Sequence, residues 1–178
     1  MAYGVAARLL RFAFAILTIS TLASGASGVA AEPRSVAFLA VEFLNDNAIY
    51  EPTSDAERAR IAKIEEIFKT RLTESGRFRF VEVDADMKAR IAAGQELGKC
   101  GGCELDYGKT LGSQLVAWIE VQKVSNLILN MNVYMADVAA EKMIFAKSAD
   151  MRNNTDESWS RSINYIVKNY LLPDDLQG

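Results

Sequence analysis

Histidine is absent from all 178 residues. Its absence excludes a Ser-His-Asp or Cys-His nucleophile system and removes the commonest zinc and copper ligand. A c-type haem needs a histidine directly after its second cysteine, and Glu104 stands there. Cysteine is nearly absent as well, with Cys100 and Cys103 the only two. Proline is confined to Pro33, Pro52 and Pro173, so the middle of the chain has none to face a redox pair. No basic run occurs, and the net charge is −3. Nucleic acid and anionic lipid are therefore poor partners. Internal repeats and low-complexity linkers are also missing.

The first residues point to export. Arg8 and Arg11 precede the apolar run "FAFAILTISTLA", and Val29-Ala30-Ala31 fits the small-x-small rule for signal-peptide cleavage. Thr18, Ser20, Thr21, Ser24 and Gly25 interrupt the run, whereas a membrane span needs roughly 20 continuous apolar residues. The expectation is a signal peptide over 1–31 and one α/β domain over 32–178. Loss of the two leader arginines makes the charge −5. The mature protein is expected to be periplasmic or secreted, soluble, and without a stable membrane anchor.

Periodicity orders the elements. "SVAFLAVEFL", residues 35–44, reads as a central strand covered on both faces. Ser54 and Glu57 have capping-box spacing, and Ile61, Ile64, Phe68 and Leu72 share the following helix's apolar face. "RFRFVEVD", 77–84, reads as a second strand whose apolar parity changes at Phe80-Val81. A weak helix is expected in 85–99, with Asp84-Ala85-Asp86 as its cap, and a short one over 104–112. "SQLVAWIEVQKVS", "NLILNMNVYMADV" and "MIFAKSADM" read as a meander. Leu127, Leu129, Met131, Val133 and Met135 alternate against Asn130 and Asn132. Met131, Met135, Met143 and Met151 are read as core, as are Trp118 and Trp159. Asn154 is expected to cap a last helix whose buried stripe is Trp159, Ile163, Ile166, Val167 and Tyr170. The fold expected is α/β (α+β): one mixed five-stranded sheet in β-α-β-α-β-β-β-α order, the first strand pair joined by a helical crossover.

Chemical readings centre on "LGKCGGCELDYGKTLG". Gly108-Lys109-Thr110 resembles the end of a phosphate loop, but the glycine that pattern needs is Cys103. A zinc knuckle would need carboxylates such as Glu104 and Asp106 to complete it. A thiol-disulfide enzyme would use Cys100 as nucleophile and Cys103 as resolving thiol, since a helix start lowers a thiol pKa. The preferred reading is a structural disulfide: two cysteines, an oxidising compartment, and two glycines that allow a tight ring. No acid-base pair can be assembled, and no cofactor or metal is expected.

The segment from Cys100 to Trp159 resembles the C-terminal half of a family of secreted bacterial proteins. The features carrying the resemblance are the cysteine turn, Leu111-Gly112, the strand end with Val121, Lys123, Ser125 and Asn126, the turn at Asp137, and Asn154-Thr155-Asp156 with Trp159. "VAFLAVEFL" and "GRFRFVEVD" match too. The family is a domain of unknown function, so the resemblance implies no activity. At the level of fold alone, the element order is similar to the α/β module that starts TolB-like envelope proteins. It is similar also to modules of curli-secretion lipoproteins and peptidoglycan-synthase activators. That analogy implies an interaction module. The functional expectation is a non-enzymatic envelope accessory that binds a protein partner, with Gln122, Asn126, Asn130 and Asn132 as its polar patch; the alternative is the thiol-disulfide enzyme.

Overall fold

A computed structural model describes residues 31–173. The expected leader lies outside the described residues except for Ala31. Among the described residues the elements run, in chain order, β1 (Arg34–Asn45), α1 (Asp55–Glu74), β2 (Phe78–Phe80), α2 (Ala85–Ala93), α3 (Cys103–Leu111), β3 (Leu115–Ser125), β4 (Ile128–Asp137), β5 (Lys142–Arg152) and α4 (Asp156–Ile166). A π-helical turn, Val167–Leu171, continues α4. The sheet order is β2-β1-β3-β4-β5. β1 is parallel to β2 and β3, and β3, β4 and β5 form an antiparallel meander. This is the mixed five-stranded sheet expected from the sequence.

Local chemistry sets the helix starts. The Ser54 hydroxyl accepts from the Glu57 N–H, and the Glu57 carboxylate accepts from the Ser54 N–H, a complete capping box. Asp84 caps α2 through the Met87 N–H. α4 is capped by Thr155, which accepts from the Ser158 N–H, and not by Asn154. Asn154 lies one residue too early to reach that turn, and its amide is engaged elsewhere.

Helices cover both faces of the sheet. On the first face, Ile64, Phe68 and Leu72 of α1 and Trp159, Ile163 and Ile166 of α4 bury Val36, Phe38, Ala117, Ile119, Val121, Met131 and Val133. On the second, Met87 and Ile91 of α2 and the flank of α3 cover Ala37, Leu39, Val116, Trp118, Ala136 and Val138. α3 lies very close to the sheet because Gly108 has no side chain: a Cβ there would stand 2.5 Å from Val116 and 2.7 Å from Val138. The hydrophobic effect of these two cores drives the fold.

Several expectations are corrected. β2 is three residues long, not eight. After the Val81 N–H bonds the Val36 carbonyl, the chain leaves the sheet. Phe78 and Phe80 pack on the first face, and Val83 on the second. The parity change at Phe80-Val81 marks that passage from one face to the other. Tyr170 is 42% exposed, because the π-helical turn adds a residue and rotates it off the buried stripe. Leu127 is exposed in the β3–β4 turn, outside the alternating strand, and Met143 is exposed near the free edge. Among the described residues no helix is long and apolar enough to cross a membrane.

Candidate functional site

A bulge in β1 builds the site. Phe38 pairs with Ala117 and Val41 with Ile119, so Leu39 and Ala40 together stand opposite Trp118. The extra residue reverses the alternation of β1. Val41 and Phe43 then point to the first face, and Glu42 is delivered to the second. There Glu42 is the register partner of Glu120, with Asn132 across the next strand. Gln122 pairs with Asn130, which pairs with Asp150 of β5. α2 and α3 cover only the half of this face around Ala37, Val116 and Trp118. The other half, at the carboxyl ends of the parallel strands β1 and β3, carries carboxylates and amides and, among the described residues, has no helical cover.

The loop between α2 and α3 adds the third acid. Leu97 is buried, and its N–H donates to Glu42 Oε1 at 2.9 Å. Gly98, at φ +78°, lies over the Trp118 indole, which stacks on Tyr134. Glu96 is thereby placed so that oxygens of Glu42, Glu96 and Glu120 all lie within 4.8 Å of one another. Glu96 pairs with Lys99. Glu120, 5% exposed, accepts from Gln122 at 2.8 Å and Asn132 at 3.2 Å on one oxygen. Among the described residues, Glu42 Oε2 is buried without a hydrogen-bond partner, as is Trp118 Nε1. Burial pushes the Glu42 carboxyl above its ordinary range; the Leu97 N–H opposes the rise, and Glu96 and Glu120 add to it.

Cys100 and Cys103 form a disulfide. Gly101 and Gly102 take positive φ, and Cys103 opens α3. The bond closes the turn that leads directly out of the Glu96–Lys99 loop. The residues before Cys100 form that loop and not a strand end. Glu104 Oε2 lies 2.9 Å from Cys100 Sγ. Cys100, Cys103 and Glu104 have the proximity of metal ligands, but bonded sulfurs are not thiolates and cannot serve as such.

Of the four amides singled out in the sequence, three share the open half-face: Gln122, Asn130 and Asn132. Asn126 belongs elsewhere. It donates to Glu51 at 3.2 Å and accepts from Asn154 at 3.1 Å, at the edge of a network on the first face. At its centre the Lys123 ammonium meets Glu57 at 2.8 Å, and both side chains are almost fully buried. Glu51 lies 3.3 Å from Lys123. Asn154 donates to Glu57 at 2.7 Å and accepts from Trp159 Nε1 at 2.9 Å. Burial pushes the Glu57 carboxyl up, but hydrogen bonds from Lys123, Ser54 and Asn154 outweigh it and hold the pKa at about 2.

The three carboxylates were not singled out in the sequence. A signal was present, however. Glu42 and Glu120 are single acids inside the apolar runs "SVAFLAVEFL" and "LVAWIEVQ", where a charge needs a reason.

A family model described as "Protein of unknown function (DUF2380)" matches residues 34–171. The chain belongs to that family, DUF3280. Among solved structures, similar folds include the C-terminal domain of LpoB from Salmonella enterica, at 16% identity and a TM-score of 0.46 over 71% of this chain and 87% of that one. Lipoprotein GNA1162 from Neisseria meningitidis is similar at 13% identity and a TM-score of 0.48, over 82% and 99%. TolB from Acinetobacter baumannii is similar at 13% identity and a TM-score of 0.47, over 79% of this chain and 29% of that one. A search of curated proteins gave no match.

Proposed function

Starting from a family that names no activity, we propose that this chain is an exported, non-enzymatic accessory protein that binds an envelope protein. The binding surface is the open half of the second sheet face, including Gln122, Asn130 and Asn132. One observation carries this reading: that half-face, at the carboxyl ends of the parallel strands, presents buried and half-buried polar groups and, among the described residues, has no helix over it. Sites in open α/β sheets form at such strand ends. Periplasmic location rests on the signal-peptide pattern.

The thiol-disulfide alternative is less well supported. A carboxylate 2.9 Å from Cys100 Sγ disfavours the thiolate that such an enzyme needs. The Cys100-Cys103 bond instead secures the loop that carries Glu96 and Leu97.

Site-specific photo-crosslinking in the native envelope tests the surface. A photoreactive residue at Asn130 or Gln122 is expected to trap one and the same partner. The same group at Lys63, on α1 across the sheet, is expected to trap none. Equal capture from Lys63 and Asn130, or none from either strand position, overturns the assignment.

A further inference from the structure

We propose that this chain pairs end to end with a second copy of itself, through the apolar tip formed by the β1–α1 loop and the β3–β4 turn, about a two-fold axis along the sheet normal. The tip lies at the strand ends and does not use the amides of the half-face, so this pairing stands or falls independently of the preceding reading.

The exposed area calls for a macromolecular partner. Ile49 and Tyr50 in the β1–α1 loop are 90% and 87% exposed, and Val124, Leu127 and Ile128 around the β3–β4 turn are 51%, 68% and 60% exposed. Hydrogen bonds tie the loop to the turn. The Asp46 N–H donates to the Lys123 carbonyl at 3.1 Å, Asn47 Nδ2 to the Val124 carbonyl at 2.8 Å, and Asn126 Nδ2 to the Glu51 carboxylate at 3.2 Å. Within the loop, Asn45 Nδ2 donates to the Glu51 carbonyl at 2.7 Å. The apolar side chains are therefore held out by a bonded framework. At these exposures the five residues leave on the order of 700 Å² in water, at or above the largest apolar patch of an ordinary monomer and near the roughly 800 Å² that each partner contributes to a stable interface.

Charge selects a second copy and its orientation. Asp46 follows β1, and Arg152 ends β5. In the order β2-β1-β3-β4-β5 these two strands flank the β3–β4 hairpin, one on each side. An acid and a base thus stand on opposite sides of the apolar turn. Glu51 is engaged by Lys123, Asp150 by Asn130 and Asp156 by Arg60. Asp46 and Arg152 are exposed and, among the described residues, have no ion-pair partner. A two-fold axis along the sheet normal, through the turn, reverses both the strand direction and the order of strands. It sets Asp46 against the partner's Arg152, Arg152 against the partner's Asp46, and the two apolar turns against each other. An axis in the sheet plane, across the strands, would instead set like charges against each other. An apolar centre whose charged flanks match in one orientation is a self-complementary surface, as a two-fold interface requires.

Sedimentation velocity of the purified protein, over a range of concentrations at physiological salt, tests the pairing. The mass is expected to rise from monomer to dimer in the micromolar range. Leu127→Asp, at the apolar centre, is expected to leave a monomer throughout. Asp46→Arg and Arg152→Asp each put like charges at both flanks, and each is expected to weaken the dimer about tenfold. Mixed in equal amounts, these two variants form two opposite-charge pairs across the axis. The mixture is expected to dimerise as tightly as the parent. The urea midpoint of each variant, measured in parallel, checks its fold; if Leu127→Asp does not fold, Leu127→Ser takes its place. A monomer at every concentration overturns the proposal and leaves the tip to a partner other than this chain. So does a dimer unchanged by the folded Leu127 variant, or a mixture that dimerises no more tightly than its two components. Cosedimentation of monomeric parent with phosphatidylcholine vesicles, lost in Leu127→Asp, also overturns it and assigns the tip to a lipid surface.

Discussion

Two groups of acids lie at the same end of the sheet, on opposite faces, and they are treated in opposite ways. On the first face, Glu57 is buried with a lysine ammonium at 2.8 Å, a capping serine and an asparagine amide. On the second, Glu42 is half-buried beside two more carboxylates, and one of its oxygens has no partner. The deciding difference is satisfaction. A fully satisfied buried charge holds elements together, here α1, α4, β3 and the loop after β1. An unsatisfied one is a standing cost to the fold, and such a cost calls for a role outside it.

The sharpest way to break this contrast is to remove the cation. Lys123→Met leaves Glu57 buried against an apolar chain and is expected to lower the unfolding free energy by about 3–5 kcal/mol. Urea denaturation at neutral pH measures it. A loss below about 1 kcal/mol would place the Lys123–Glu57 pair among surface-like ion pairs.

Acid titration should show the two groups with opposite signs. The folded pKa of Glu57, about 2, lies below its ordinary 4.5. Its stability is therefore present above pH 4.5 and lost as pH falls toward 2, an effect on the order of 3 kcal/mol. Glu42 is raised above 4.5. Its protonated form suits the fold, so its contribution is full below 4.5 and is lost as pH rises through the folded value. Stability measured against pH in Glu57→Gln should lose the acid limb. The same profile in Glu42→Gln should lose a weaker fall on the other side. Coincident profiles for both variants would erase the distinction.

Much of this fold was legible in the sequence because its signals are local. The Ser54–Glu57 box, the Asp84 cap and the alternation of Leu129, Met131, Val133 and Met135 each act within a few residues, and each stands in the structure as read. The site was harder to read because long-range register creates it. Nothing near Glu42 announces that Leu39 and Ala40 will both oppose Trp118, and without that bulge Glu42 would not meet Glu120. Glu96 arrives by a loop whose position depends on the Leu97 N–H and on Gly98 over an indole. Asn126 had the same local appearance as Asn130, but the β3–β4 turn carries it to Glu51 and Asn154. Tyr170 continued a helical stripe until one added residue turned it outward.

The disulfide sharpens the comparison with a smaller effect. It borders the second-face loop, so replacing Cys100 and Cys103 by serine is expected to cost about 1–2 kcal/mol. The loosened loop should also weaken partner capture from Asn130 without abolishing it. A fully stable double variant with no capture at all would return the thiols to functional candidates. Smaller still is Asn130→Ala, expected to change stability by less than about 0.5 kcal/mol, since its bonds to Ser148 and Asp150 are solvent-exposed. A larger loss in that variant would make the amide structural.

The most direct measurement sets one acid of each face side by side: urea unfolding at pH 7 of Glu57→Gln and Glu42→Gln. The expected result is a loss of about 2 kcal/mol or more for Glu57→Gln, with Glu42→Gln as stable as the parent or slightly more so. A comparable loss in Glu42→Gln would contradict the contrast, because Glu42 would then be as much a part of the fold's support as Glu57.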